Sequence, residues 1–191
     1  TVLMLWLLLA AFVVYPLARL LLMAFTADGS FTLANLRPFI DSWYDRQAAV
    51  NSILLGCSVG LAGTVLGFIF AYAVTRLSMP KWLKMAVSAV TLLPLISPPF
   101  TSSIALTLSL GPNGILLELL GLGNFNFYGF WGTFISETLT FFPVAFMTLS
   151  TILARIDPNL EDAAYSLGAS SFKVFRSVTL PLAAPGIANA F

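Results

Sequence analysis

The chain has 191 residues, 59% of them hydrophobic and only 9% charged, against about 25% charged in ordinary soluble domains. So few polar residues cannot cover a soluble core of this size, and a formal net charge of +1 supplies no field for nucleic acid or an acidic polymer. With one cysteine, Cys57, and no histidine, these residues exclude an internal disulfide, a Cys/His metal cluster and a His-based catalytic centre.

Apolar runs long enough to cross a bilayer predict an all-α, polytopic transmembrane bundle. The first span is expected over residues 2–25, with Arg19 near its far end, where a long side chain can snorkel to the headgroups. A cleavable signal peptide is a poor reading of this run, because no small-residue cleavage site follows Arg19 and further spans come after. Residues 26–49 read as a polar connector carrying Asp28, Arg37, Asp41, Asp45 and Arg46, with Trp43 and Tyr44 suited to an interface. The second span is expected over 50–74, followed by a basic connector with Arg76, Lys81 and Lys84. The third is expected over 85–110, a neutral loop with Gly111, Pro112, Asn113 and Gly114 follows, and the fourth is expected over 127–153. A polar segment, 157–179, separates this from a fifth span beginning near residue 180. The chain starts at Thr1 and stops at Phe191 inside apolar runs, so a fragment with four complete spans and the start of a fifth is expected.

Lys and Arg set orientation. The connectors at 75–84 and 155–179 carry three each, those at 26–49 and 111–127 two and none, so the former pair is expected to face the cytoplasm.

Three spans carry unusual residues. Gly56, Gly60, Gly63 and Gly67, followed by Ala71, recur at alternating steps of four and three, which strips one face of the second helix for close packing against a neighbour. In the third, Pro94, Pro98 and Pro99 remove helical partners from the carbonyls of Val90, Pro94 and Leu95. Broken helix is tolerated in hydrocarbon only against protein or a wet cavity. The segment therefore reads either as a kink held by neighbours or as the lining of a pathway, with Ser97, Thr101, Ser102 and Ser103 close by. Glu137 is the one acid well inside a span, flanked by Thr138 and Thr140 and followed by Pro143. It can line a route for a polar or cationic solute, pair with an Arg of a partner span, or make a purely structural hydrogen bond. Glu118 reads as a solvated loop residue.

Asp157-Pro158 is a strong helix start: Asp caps free N–H groups and Pro suits the first helical position. Glu161 and Asp162 favour the positive end of the helix dipole, and Gly168 is placed to end the helix. Ser170 or Ser171 can cap a second short helix, FKVFRSV, before Leu180-Pro181 opens the next span. Two short helices in an elbow are expected, with Ala163 and Ala164 as a flat patch on one and Phe172 and Phe175 as an aromatic patch on the other. Connections between bundled helices are typically about 2–8 residues, so this longer segment reads as a docking surface.

The run from Asp162 through Pro181, DAA-x3-G-x9-V-x-LP, resembles the signature loop of binding-protein-dependent ABC importer permeases, usually EAA-x3-G-x9-I-x-LP. Asp162 stands for the usual Glu, with Glu161 just before it, and Val178 for Ile. The resemblance implies a type I importer permease in a bacterial inner membrane. Its partners would be a cytoplasmic ABC ATPase dimer, an extracytoplasmic solute-binding protein and a second permease half, fused or separate. It also implies that Glu161, Asp162, Ala163, Ala164 and Gly168, with Leu180 and Pro181 closing the motif, form the contact that couples ATP hydrolysis to transport. ATP and Mg would sit on the partner ATPase, since no GxxxxGK[ST] loop occurs here; no resident cofactor, metal or nucleic acid is expected. The stretches LLPLISPPFTSSIALTLSLGPNGIL and YGFWGTFISETLTFFPVAFMTL are most similar to the ferric-iron permease branch, with thiamine, phosphonate, polyamine and sulfate branches as alternatives. On that reading Ser97, Pro98, Pro99, Thr101, Glu137 and Pro143 are pathway candidates. A secondary transporter or channel would account for the broken helix and Glu137 but not for the 157–181 loop. A membrane-embedded enzyme lacks the His, metal set or paired acids it would need.

Overall fold

The computed structural model of the chain describes residues 2–27, 29–112, 114–121 and 128–191, with the side chains of Pro38, Phe39, Pro99 and Ser102 also outside the description. The expected start of the fourth span at residue 127, and the loop roles of Asp28 and Asn113, fall outside the described residues. The chain divides into two compact units, Thr1–Ile53 and Leu54–Phe191.

In the first unit, α1 (Val2–Phe25) is apolar and exposed along its length, as a helix solvated by lipid can be. A π turn at Ala10–Val14 sits just before Pro16. A wider turn there moves the Phe12 carbonyl away from the pyrrolidine ring that would otherwise strike it. After α1 comes the one departure from an all-helical fold among the described residues, a two-residue antiparallel pair, β1 (Thr26–Ala27) with β2 (Ser30–Phe31). The Asn35 amide nitrogen donates to the carbonyls of Met23 (2.8 Å) and Thr26 (3.0 Å), satisfying groups left open where α1 ends. A short α2 (Arg37–Asp41) follows.

The second long helix, α3, runs Trp43–Arg76, so it begins at Trp43 and not at the expected residue 50. Ser42 caps it: the Asp45 N–H reaches the Ser42 hydroxyl at 3.3 Å, and Asp45 places an acid in the first turn. Trp43 and Tyr44, expected in a connector, are therefore its first residues.

The second unit gathers around α7 (Phe130–Arg155), which buries more of its apolar length than α3 does and is the central helix. Its inner face packs Ala145, Phe146, Leu149 and Leu153, with Ile156 just beyond its end, against Ala71 of α3 and Ala183 of α10 (Leu180–Ala190), with Leu92 of α4 (Lys81–Ile96) at the edge. The glycine face of α3 is graded. A Cβ on Gly67 would lie 2.7 Å from the Phe146 backbone nitrogen, one on Gly63 3.7 Å from Phe142 Cα, and one on Gly60 3.2 Å from the Phe191 ring. At Gly56 nothing lies within 4 Å.

The third apolar run is not one helix. α4 stops at Ile96, Ser97 and Pro98 are extended (ψ 137° and 138°), and α5 (Pro99–Leu110) starts afresh. A residue before proline is driven out of the helical region, and Ser97-Pro98-Pro99 imposes that twice in succession, so the chain breaks where a single proline would only bend it. Pro94 and Pro143, isolated inside α4 and α7, leave their helices continuous. A short α6 (Ile115–Leu119) leads away from α5.

Candidate functional site

The polar segment after α7 folds as α8 (Pro158–Ser166). The Asp157 carboxylate accepts from the Asn159 N–H at 3.0 Å, which caps the start. At the other end the Ala169 N–H bonds the Ala164 carbonyl (3.1 Å) and the Gly168 N–H bonds the Tyr165 carbonyl (2.9 Å). That is a Schellman ending, and it needs the left-handed conformation that Gly168 adopts at φ +80°. The second half of the expected elbow is different. α9 (Ser171–Val174) does not end; it continues through a π turn (Phe175–Thr179) into α10. As at Pro16, the π turn immediately precedes a proline, Pro181, and shifts the Ser177 carbonyl off its ring. One short helix followed by one long helix replaces the expected pair of short ones.

The two acids of α8 point in different directions. Asp162 and its neighbour Ala163 are exposed, while Glu161 and Ala164 are partly buried. Glu161 accepts a hydrogen bond from the Thr179 hydroxyl at 2.8 Å, and its Oε1 lies 3.1 Å from Arg76 Nε, with both charged side chains largely covered (11% and 16% exposed). The Nε–H does not point at the oxygen, so the contact is an ion pair without hydrogen-bond alignment. Arg76 Nη2 donates to the Ile156 carbonyl at 3.3 Å. Arg76 is the last residue of α3, Ile156 follows α7, and Thr179 precedes α10, so three long helices and α8 meet at one polar node. Phe175 packs edge-on against Tyr72 (5.5 Å) and Phe68 (6.0 Å) beside it. Leu180 is partly buried and Pro181 exposed.

A second polar feature lies where the third run breaks. Ser103, Ser136 and Glu137 line two adjoining cavities of about 230 and 350 Å³ between α5, the end of α4 and α7. Ser97 and Pro94 line the second of these. The Ser103 and Ser136 hydroxyl oxygens stand 3.4 Å apart across the crevice. Thr107, Thr133 and Thr140 each give their hydroxyl proton to a carbonyl of their own helix four residues back, at 2.8, 3.0 and 2.8 Å. With those protons committed, the three oxygens can only accept. Among the pathway candidates, Ser97 and Glu137 thus border the crevice, Pro98 and Thr101 are exposed, Pro143 is fully buried, and the Pro99 side chain lies outside the described residues. No group of three or more Cys, Asp or Glu occurs among the described residues that could hold a resident metal.

Sequence reasoning counted Arg76 only as an orienting charge and gave Thr179 no role, since nothing local announces a pair so far apart in the chain. The crevice did leave a signal: Thr133, Ser136, Glu137 and Thr140 recur at three- and four-residue steps, a polar stripe on an otherwise apolar helix.

A bundle of long apolar helices with a break in one span and a capped polar helix locked onto its helix ends is the architecture of a multi-span membrane protein. Residues 63–191 match the family of binding-protein-dependent transport system inner membrane components, and the chain belongs to that family. It is 32% identical over 185 residues to the ferric transport system permease protein of Actinobacillus pleuropneumoniae, covering 94% of this chain and 27% of that protein. It is 33% identical over 146 residues to the molybdenum transport system permease protein of Haemophilus influenzae, covering 72% of this chain and 62% of that protein. The chain thus spans about a quarter of the length of the ferric relative. Among solved structures, a bacterial ABC transporter involved in the import of the acidic polysaccharide alginate superposes with a TM-score of 0.78 at 20% identity, over 97% of this chain and 66% of that one. The fold is therefore shared with that transporter, and the family places the chain in a multi-pass protein of the inner membrane.

Proposed function

We propose that the chain is the membrane-spanning part of an ATP-binding cassette importer that carries ferric iron, delivered by an extracytoplasmic binding protein, into the cytoplasm. The carrying observation is the division of labour on α8: Glu161 turns inward, leaving Asp162, Ala163, Leu160 and Leu167 on an exposed face of a helix capped at both ends. A rigid helix with an acid and small and apolar residues outward is a fitting seat for a cytoplasmic ATPase dimer, which would hold ATP and Mg. Asp162 is then the acid of the docking contact. The exposed apolar surface of the long helices suits lipid and a second permease half.

The crevice favours a cationic cargo. Its threonine oxygens accept only, Glu137 adds a carboxylate, and no Lys or Arg lines it among the described residues. A hard cation is matched by oxygen ligands and a carboxylate, whereas an oxyanion such as molybdate would meet the Glu137 carboxylate with only serine and tyrosine hydroxyls, and no cationic side chain among the described residues, to offset it. The ferric relative also matches over more of this chain than the molybdenum one does. Ser97 and Glu137 would be passing contacts along the route.

The test is uptake in cells producing the full-length protein with its ATPase and binding protein. Radioactive ferric iron is expected to accumulate in an ATP-dependent way, and molybdate and sulfate are not. ATP-dependent accumulation of molybdate or sulfate instead would refute the iron assignment, and failure of any ATPase subunit to co-purify would refute the importer reading.

A further inference from the structure

We propose that Arg76 is a positioning residue that locks the docking helix α8 to the end of α3 through Glu161, so that a displacement of α8 is delivered to the bundle as a rigid movement. The proposal rests on the importer reading above and deepens it by naming where force passes from loop to span. Glu161 directly precedes the motif of the docking loop, and its carboxylate faces away from the exposed side of α8, toward Arg76 and Thr179. Arg76 holds that carboxylate at 3.1 Å and also reaches the Ile156 carbonyl at 3.3 Å, the point at which the chain leaves α7 for α8. One side chain therefore ties α3 both to the docking helix and to the hinge before it. Thr179 adds α10 to the same carboxylate.

The rest of the loop is held by its covalent ends and by packing, such as that of Phe175 on Tyr72 and Phe68. Between those ends α8 has no other side-chain hydrogen bond or ion pair to a long helix among the described residues. Charges largely removed from water interact more strongly and are less screened by salt than exposed pairs, so the Arg76–Glu161 contact can carry load that an exposed pair cannot. Removing the guanidinium leaves α8 free to rock without moving α3.

The experiment uses the full-length protein with its ATPase subunits in nanodiscs, with Cys57 and every other reactive cysteine of the assembly replaced by Ser and a reporter cysteine, Thr133→Cys, at the crevice. Reaction of that thiol with a membrane-impermeant maleimide is timed with and without ATP plus vanadate, so no solute is needed. With Arg76 present, ATP should change the labelling rate about fivefold or more, the lower end of an ordinary coupling free energy. Arg76→Gln should retain the ATPase subunits and ATP hydrolysis but bring that ratio close to one, and Arg76→Lys should restore most of it. A ratio unchanged in Arg76→Gln overturns the proposal. So does loss of the ATPase subunits in both Arg76→Gln and Arg76→Lys, which would make Arg76 a brace for assembly. If ATP leaves labelling unchanged with Arg76 in place, it is the importer reading that fails.

Discussion

At the scale of single residues, similar glycines on one helix face do different work. Gly67 lies where α3 meets the backbone of α7, and an added methyl would stand 2.7 Å from the Phe146 nitrogen, an atom that cannot swing aside. Overpacking of this kind costs about 1–3 kcal/mol. Gly67→Ala should therefore lower the unfolding temperature of the detergent-solubilised full-length protein, while Gly56→Ala, with nothing within 4 Å, should leave it near wild type. Equal behaviour of the two would mean that α3 and α7 do not meet backbone to backbone at Gly67. Asp157 is a second residue with a local job, accepting from the Asn159 N–H at the first turn of α8. Asp157→Ala should cost about 1 kcal/mol of local stability. Its readout is faster amide hydrogen exchange over residues 158–162 with the long helices unaffected.

At the scale of elements, the loop helix was legible because its signals are local: Asp-Pro at the start, Gly at the end, an acid in the first turn. The start of α3 was equally written in the sequence, since Ser42 and Asp45 stand at capping-box spacing, but the charged connector around them masked it. Two features depend on more than local residues. The continuity of α9 into α10 required a π turn to absorb Pro181, and a proline after a short helix more often signals a fresh start. The full break at Ser97-Pro98 came from two restrictions acting in series, where each alone would kink. Gly168 tests how far the ending of α8 matters. At φ +80° a β-carbon costs roughly 1–2 kcal/mol, and nothing lies within 4 Å to clash, so the penalty is backbone strain alone. Gly168→Ala should leave membrane insertion intact and weaken co-purification of the ATPase. Gly168→Asn, which tolerates the left-handed region better, should recover part of it. An Ala variant that retains the ATPase fully would show that docking does not require the Schellman turn.

At the scale of the whole molecule, the break and the loop make one arrangement out of two local irregularities. The break between α4 and α5 opens hydroxyl-lined space against α7, and the other end of α7 leads directly into α8. α7 is also the central helix of its unit and touches both features. A shift of α8 that moves the end of α7 therefore has a short mechanical path to the crevice, through a helix whose one internal proline, Pro143, is buried in the packing. Glu137 lies on the crevice side of that helix, among hydroxyls of which the threonine oxygens can only accept. If it meets a cation in passage, the charge matters and the shape does not. Glu137→Gln keeps the shape and removes the charge, and losing one charged contact worth about 1.4 kcal/mol in the rate-limiting step slows transport tenfold. Uptake of radioactive ferric iron should fall by about that factor, while Glu137→Asp, which keeps the charge, retains most of the rate. Maleimide labelling at Thr133→Cys should still respond to ATP in Glu137→Gln, because the path from α8 to α7 is untouched. Uptake that is unchanged in Glu137→Gln would remove the carboxylate from the route and leave it a packing role beside Ser136.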